Sequence, residues 1–125
     1  MSHFQSSLNL PFTTFYFYEN YVVSEPHEGI VIGDSEIDQI REICATHYSN
    51  KKFVYISHRI NNFSVNPMVY KKLGEMKNMV GFGVVSQKVS SLNMAAFEKN
   101  FSKAPFEMFL DLEKAKGWIQ KILTS

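Results

Sequence analysis

The pattern of apolar and polar positions at the start of the chain predicts an antiparallel hairpin. Residues 12–18 are rich in aromatic and β-branched side chains, and residues 21–23 resume that composition after a gap of two. Two such runs at this spacing are typical of a hairpin, because Asn20 in the gap tolerates the left-handed backbone that a tight turn needs. Residues 1–11 are mostly polar and include a proline, so we expect a loose lead-in there.

Two continuous apolar runs predict the centre of a sheet. Residues 53–56 and 80–85 do not alternate with polar positions, which is typical of strands covered on both faces. Shorter runs at residues 30–32 and 106–110 predict two further strands. We expect the two central runs to lie side by side and to point the same way.

Helical patterns separate these strands. Residues that cap helix N-termini precede each of them, and these are Asp34 or Ser35, Asn66 before Pro67, Ser90 or Ser91, and Asp111. The third helix is predicted to bury Leu92, Ala95, Ala96 and Phe97. Alternating helices and strands with short connections predict an α/β fold with parallel central strands, about four helices and the antiparallel hairpin at one edge of a mixed sheet.

Composition narrows the class of protein. The chain has 125 residues, of which 45% are hydrophobic and 20% charged, and we predict a single domain at residues 12–125. A net charge of +1 argues against a nucleic-acid binder. No run approaches the roughly 18 apolar residues of a membrane-spanning helix, and the N-terminus lacks a signal-peptide pattern. With one cysteine, Cys44, and thus no intrachain disulfide, we expect a cytoplasmic protein.

The sequence contains no signature of catalysis, of a cofactor or of a metal site. It has no glycine-rich phosphate loop, no dinucleotide fingerprint and no nucleophile elbow. Cys44 and His47 lie three residues apart on the first predicted helix, but a buried stripe produces the same spacing, so we predict no metal and no cofactor. A reaction that uses His58 with Ser57 or Ser64 lacks an orienting acid, so we expect no enzyme activity.

Polar residues gather where the first central strand ends. In open α/β sheets, ligands bind beyond the carboxyl ends of the strands, and helix N-termini there favour anions. The candidate ligand- or partner-binding residues are Ser57, His58, Arg59, Asn62, Ser64, Asn66, Tyr70 and Lys71. The last two are predicted to form an exposed basic and aromatic strip on the second helix. Serine and asparagine are also ordinary residues of loops and caps, and the cluster contains no acidic residue, so its composition favours a purely structural role over a functional one.

Several stretches resemble the STAS and SpoIIAA-like proteins, a fold named for the sporulation anti-sigma-factor antagonist. They are Phe53-Val54-Tyr55-Ile56-Ser57-His58-Arg59, Phe63-Ser64-Val65-Asn66-Pro67, and Pro105-Phe106-Glu107-Met108-Phe109 running into residues 111–118. The chain is most similar to small stand-alone STAS/SEC14-type members of Bacteroidetes-like bacteria, over roughly residues 12–123. The resemblance implies a mixed sheet with about four helices and a non-enzymatic role.

The resemblance also implies a regulatory site. Antagonist members bind an anti-sigma-factor kinase and are switched by phosphorylation of a serine in an Asp-Ser-Ser-Gly turn at a helix start. The corresponding turn here is Ser64-Val65-Asn66-Pro67, which lacks the aspartate and the glycine. Ser64 is the remaining hydroxyl and the predicted phosphoacceptor, with its phosphate stabilised by a helix N-terminus and by Arg59.

Two functions remain open at this point. One is a regulatory domain that binds a protein partner through the loops around residues 57–67 and the helix after them, with a degenerate phosphoswitch turn. The other is a small-ligand domain, for a lipid, a nucleotide or another anion, with a pocket at the carboxyl ends of the strands. The aromatic hairpin at a sheet edge is also compatible with a homodimer.

Overall fold

The structure, a computed structural model, describes residues 4–124 of the chain. The strands are β1 (Phe4–Asn9), β2 (Thr13–Tyr18), β3 (Tyr21–Pro26), β4 (Val31–Ile32), β5 (Phe53–His58), β6 (Ser64–Val65), β7 (Met79–Val85) and β8 (Phe106–Phe109). The helices are α1 (Asp34–Tyr48), α2 (Val69–Leu73), α3 (Val89–Glu98) and α4 (Leu112–Leu123), and a 3-10 turn (Lys99–Phe101) follows α3. None of these helices is long and apolar enough to cross a lipid bilayer.

Six of the strands form one mixed sheet in the order β1-β2-β3-β5-β7-β8. The first three strands in that order are antiparallel neighbours, and β3, β5, β7 and β8 run parallel. The predicted parallel pairing of residues 53–56 with residues 80–85 is confirmed, with Ile56 opposite Gly83. Strands β4 and β6 pair with each other in a separate two-stranded parallel sheet.

The predicted lead-in is wrong for residues 4–9, which form β1. This strand pairs antiparallel with β2 and places Leu8 opposite Phe15. All of its residues are exposed, and an exposed edge strand needs little apolar character, which explains why its polar composition concealed it. The predicted hairpin, β2 and β3, is present but lies one strand in from the edge. Residues 1–3 of the predicted lead-in lie outside the described part of the chain.

The helices cover the two faces of the sheet unequally. α1, α2 and α3 pack on one face, against side chains that include Tyr55 and Phe82. α4 packs on the other face, against Val54, Ile56 and Val85. Successive residues of a strand point to opposite faces, so a strand covered on both sides needs apolar residues at every position. This explains the continuous apolar run in β5.

The N-terminal caps of α1 and α4 are partly as predicted. Asp111 caps α4, and its Oδ1 accepts a hydrogen bond from the Lys114 backbone N–H at 2.9 Å. The prediction for α1 is wrong by one residue, because Gly33 occupies the cap position and neither Asp34 nor Ser35 does. The Gly33 backbone N–H instead donates to Glu36 Oε1 at 2.9 Å.

The predicted starts of α2 and α3 are wrong. The Asn66 Oδ1 atom accepts a hydrogen bond from the Met68 backbone N–H at 3.1 Å, so Asn66 forms a local turn and α2 begins only at Val69. α3 begins at Val89, with Lys88 at the cap position and no side-chain cap from Ser90 or Ser91. The chain therefore enters both helices without the caps that the sequence suggested.

Candidate functional site

The predicted site residues at the end of β5 separate to the two faces of the sheet. Ser57 lies on the face covered by α1, α2 and α3, and Arg59 joins it there. His58 lies between them in the chain and bonds to Glu25 of β3 on the other face. One sequence cluster thus contributes to two different environments.

Arg59, Ser57, Tyr70 and Glu98 form a buried polar cluster beneath α3, called the Arg59 cluster below. The guanidinium binds Glu98 in a bidentate manner, with Nη2–Oε1 at 2.7 Å and Nη1–Oε2 at 2.9 Å. Its Nε donates to Ser57 Oγ at 3.1 Å, and the Tyr70 hydroxyl donates to Glu98 Oε1. Only 3% of Arg59 and 2% of Glu98 is exposed, so solvent does not screen the pair.

The ionisation of the Arg59 cluster follows from these contacts. Burial, the largest single influence, lowers the pKa of Arg59, but the hydrogen bonds and charge interactions with Glu98 and Tyr70 together outweigh burial and the pKa is raised. Burial raises the pKa of Tyr70 well above its usual value, so its hydroxyl stays neutral and keeps its proton to donate. The ring of Phe63 lies 5.3 Å from the guanidinium carbon and adds a cation–π contact. Because the partners satisfy one another, the cluster fixes the position of α3.

The predicted exposed strip on α2 is wrong for Tyr70. α2 has only five residues and buries Val69, Tyr70 and Leu73, which leaves Lys71 on the surface. A single-turn helix cannot present a strip of consecutive residues to solvent, because it packs two or three of its five side chains inward. Tyr70 therefore belongs to the Arg59 cluster, and Lys71 remains an exposed candidate.

The surroundings predicted for Ser64 are also wrong. Ser64 lies in β6, where its backbone N–H donates to the Ile30 carbonyl at 3.0 Å, and not at a helix start. Arg59, predicted to hold a phosphate there, is bound to Glu98. Ser64 and Asn66 are exposed, as is Asn62, whose Oδ1 accepts from Lys88 Nζ at 3.4 Å.

On the other face, His58 lines a pocket at the carboxyl ends of β5, β7 and β8, called the strand-end pocket below. Its volume is about 380 Å³, and Ser86, Lys88 and Asp111 also line it. Glu25 Oε2 lies 3.2 Å from His58 Nδ1 and orients the ring. Sequence reasoning missed this acid, although Glu25 stands two residues after Val23 on β3 and therefore on the same face as His58.

The outer face of α3 carries exposed apolar side chains. The inward residues of α3 are Ser91, Ala95 and Glu98, so the predicted burial of Ala96 and Phe97 is wrong. Phe97 is 58% exposed and Met94 is 40% exposed. They line a groove of about 480 Å³, called the α3 groove below, whose other lining residues include Val65 and Pro67.

Hydropathy alone could not identify Glu98 as a buried residue. Ser91, Ala95 and Glu98 have the spacing of one helix face, but Phe97 is the stronger apolar signal beside them. The signal that could have found Glu98 is Arg59, since an arginine directly after a buried strand needs an acidic partner.

Within residues 4–124, no three His, Cys, Asp or Glu side chains lie close enough together to hold a metal ion. Cys44 is buried on α1, and burial raises the pKa of its thiol to about 12. The thiol is therefore protonated and unreactive at neutral pH. His47, the other member of the sequence pair, stacks on Phe17 with ring centroids 4.2 Å apart.

No protein-family model matches the chain, and no curated protein does. A solved structure is similar to it: an uncharacterised protein of the DUF3478 family from Shewanella loihica, described as having a SpoIIAA-like fold. The two share 13% sequence identity with a TM-score of 0.61, over 92% of this chain and 99% of that one. The antiparallel N-terminal strands, parallel central strands and four helices agree with the predicted architecture. The chain therefore has a SpoIIAA-like α/β fold, as the sequence resemblance implied.

Proposed function

We propose that this chain is a non-enzymatic regulatory domain that binds a protein partner in the α3 groove. The observation that carries the proposal is the exposure of Met94 and Phe97 beside Val65 and Pro67, in one continuous groove. Large apolar side chains that gather on one surface, rather than scatter, are typical of interaction sites. The proposed setting is the cytoplasm, in keeping with the single cysteine of the chain.

The charges around α3 support a partner of particular chemistry. The only carboxylate of α3, Glu98, is buried, and Lys88 provides a basic residue at the start of the helix, while Lys99 after it is paired with Glu107. A partner segment with an apolar face and acidic flanking residues complements such a surface. An amphipathic helix is the simplest segment of this kind, since its apolar residues fill a groove at helical spacing.

The Arg59 cluster, which lies beneath α3, supports the proposal because it anchors this helix. Glu98 follows Phe97 directly, so the residue that anchors α3 to Arg59 is adjacent to a residue that lines the groove. A docking helix held in place loses less conformational freedom when a partner binds, which favours affinity. The groove residues therefore project from a fixed element rather than from a mobile loop.

Capture experiments with matched variants of α3 test this proposal. Phe97→Ser and Met94→Ser remove apolar surface inside the groove, whereas Val89→Ser removes it at an exposed position of α3 outside the groove. We expect wild type and Val89→Ser to recover the same protein from lysates of the source cells, and the two groove variants to lose it. All three positions are exposed, so each variant should keep the melting temperature nearly unchanged. Recovery of the same proteins by all four chains would contradict the proposal.

A second function, binding of a small anionic ligand, is favoured by the strand-end pocket. Its volume of about 380 Å³ suits a small molecule, and His58 and Lys88 provide polar groups at its wall. In this alternative, Glu25 orients the His58 ring through Nδ1, the Nε2 atom provides a second hydrogen-bonding position for the ligand, and Lys88 provides the positive charge.

Native mass spectrometry of protein purified from its own host distinguishes the two functions. A small molecule that co-purifies with wild type and is lost in His58→Ala, but retained in Phe97→Ser, would favour the strand-end pocket. A mass equal to that of the chain alone, together with capture that depends on Phe97, would favour the α3 groove.

A further inference from the structure

The outer edge of β1 is an open strand edge. β1 pairs with β2 on one side and is the terminal strand of the sheet on the other. All six of its residues are exposed, and none of them is charged or a proline. A bulge separates Phe4 from Ser6, after which Ser6–Asn9 pair regularly with β2. Backbone N–H and C=O groups along such an edge are available to another strand.

The opposite edge of the sheet has the features that normally block pairing. β8 has four residues, follows Pro105 directly, and carries Glu107 in a salt bridge with Lys99 at 3.2 Å. Short length, a proline and charge are the devices by which natural sheets prevent edge-to-edge association. β1 has neither a proline nor a charge, and its one bulge lies before the regular stretch Ser6–Asn9, so the two edges of the same sheet differ in their capacity to pair.

We propose that β1 pairs antiparallel with β1 of a second copy of this chain, so that the two sheets join into one. A two-fold axis perpendicular to the sheet sets the residue on the axis opposite its own copy and sets every other residue opposite one of the same face, so a charge on the axis would meet its own kind. The strand has no charge, and it is therefore compatible with its own copy. The axis passes through Ser7 or Leu8, which lie in the regular part of β1.

The groove beside β1 favours the same partner. It lies between the sheet edge and α1 and has a volume of about 590 Å³. Its apolar lining residues are Leu8, Phe17 and Ile43, and α1 adds the polar or charged residues Gln39, Glu42, Thr46 and His47. In the two-fold arrangement the second Leu8 lies on the same face of the joined sheet as the first. Two copies of the groove then meet, and the apolar side chains at its edge leave water.

This dimer leaves the α3 groove free. β1 and β8 are opposite edges of the sheet, and α3 packs beside β8. The inference therefore stands apart from the proposed function, because a dimer that fails to form would not affect capture through Phe97. A dimer would present two α3 grooves, one at each end.

Single-residue charges on the edge test the dimer. We expect sedimentation equilibrium to show a dimer for wild type, and we expect whichever of Ser7→Lys and Leu8→Lys lies on the axis to raise its dissociation constant about tenfold or more, because like charges then face each other there. Ser90→Lys, with the same added charge on α3, should leave the dimer intact. A wild-type chain that stays monomeric at the highest soluble concentration overturns the proposal, as does a dimer that neither edge lysine weakens.

Cysteine cross-linking checks the register without relying on charge. Residues opposite each other in an antiparallel pair have Cα atoms about 4.5–5.5 Å apart, which a disulfide can span. A residue one position away from the axis is not opposite its own copy, so a cysteine there lies too far from its copy to form a disulfide. We expect one of Ser7→Cys and Leu8→Cys to form a disulfide-linked dimer under mild oxidation, and Ser90→Cys to form none. The native Cys44 is buried and does not interfere. Equal cross-linking at all three positions would indicate random collision and would overturn the proposed pairing.

Discussion

Glu98 shows how a single side chain determines the position of a helix. Its two carboxylate oxygens bind Arg59 39 residues away in sequence, and both side chains are almost fully buried. A buried ion pair adds little net stability over a well-packed apolar pair, but the loss of one partner leaves an uncompensated charge in the interior. The cluster therefore acts mainly to specify one position of α3.

We predict that Glu98→Gln lowers the free energy of unfolding by about 3–5 kcal/mol, because it keeps the shape of the side chain and removes the charge opposite Arg59. Denaturant unfolding monitored by circular dichroism measures this change. Glu107→Gln is the matched control, since its salt bridge to Lys99 is half exposed on both sides and should contribute about 1 kcal/mol or less. Equal effects of the two substitutions would show that burial does not strengthen the pair at Arg59.

At the residue scale, the sequence indicated which residues are polar near the strand ends but not where they point. Ser57, His58 and Arg59 were identified together, and the structure distributes them over two faces. Glu98 and Glu25 were missed, because each is near its partner only in the folded chain. Long-range pairing of this kind leaves no local pattern in the sequence.

At the scale of elements, the packing of α4 on β7 depends on glycine. A Cβ atom at Gly81 would lie 2.9 Å from Trp118 Cη2 and 3.0 Å from Ile122 Cδ1, closer than van der Waals contact allows. The group that approaches most closely at this position is the Trp118 ring. Gly81 thus allows α4 to lie directly on the sheet.

We predict that alanine substitutions at Gly81 and Gly117 change the stability of the chain in opposite directions. Gly81→Ala should destabilise the chain by about 1–3 kcal/mol, because Trp118 must move to admit the methyl group. Gly117→Ala, on α4 itself, meets no atom within 4 Å and should stabilise it by about 1 kcal/mol through helix propensity. Thermal unfolding of both variants beside wild type gives the test, and destabilisation of both by the same amount would contradict the role assigned to Trp118.

Among the elements, those with strong periodicity were predicted well and those governed by tertiary contacts were not. β5, β7 and α4 follow continuous apolar runs or a clear helical stripe, and the structure has them at those places. β1 escaped prediction because an edge strand can be polar on both sides. The wrong face of α3 was predicted to be buried. Glu98 is buried and Phe97 is exposed, which reverses the usual preference of each residue type.

At the scale of the whole molecule, the strand order predicts how protection of the backbone is distributed. β5 and β7 are paired on both edges and covered on both faces, while β1 is paired on one edge and exposed. We expect amide hydrogen exchange to be slowest in β5 and β7 and much faster in β1, because opening the centre requires global unfolding. Mass spectrometry of exchanged peptides measures this gradient, and exchange in β5 as fast as in β1 would contradict the topology.

The position of α4 in the chain has a consequence for synthesis on the ribosome. Residues 112–123 are made after all eight strands, yet they supply the helix that covers Val54, Ile56 and Val85. Until these residues leave the exit tunnel, one apolar side of the nascent sheet faces water and is open to chaperones or to aggregation. Completion of this domain must therefore wait until residues 112–123 have emerged, even if the layer of α1, α2 and α3 forms earlier.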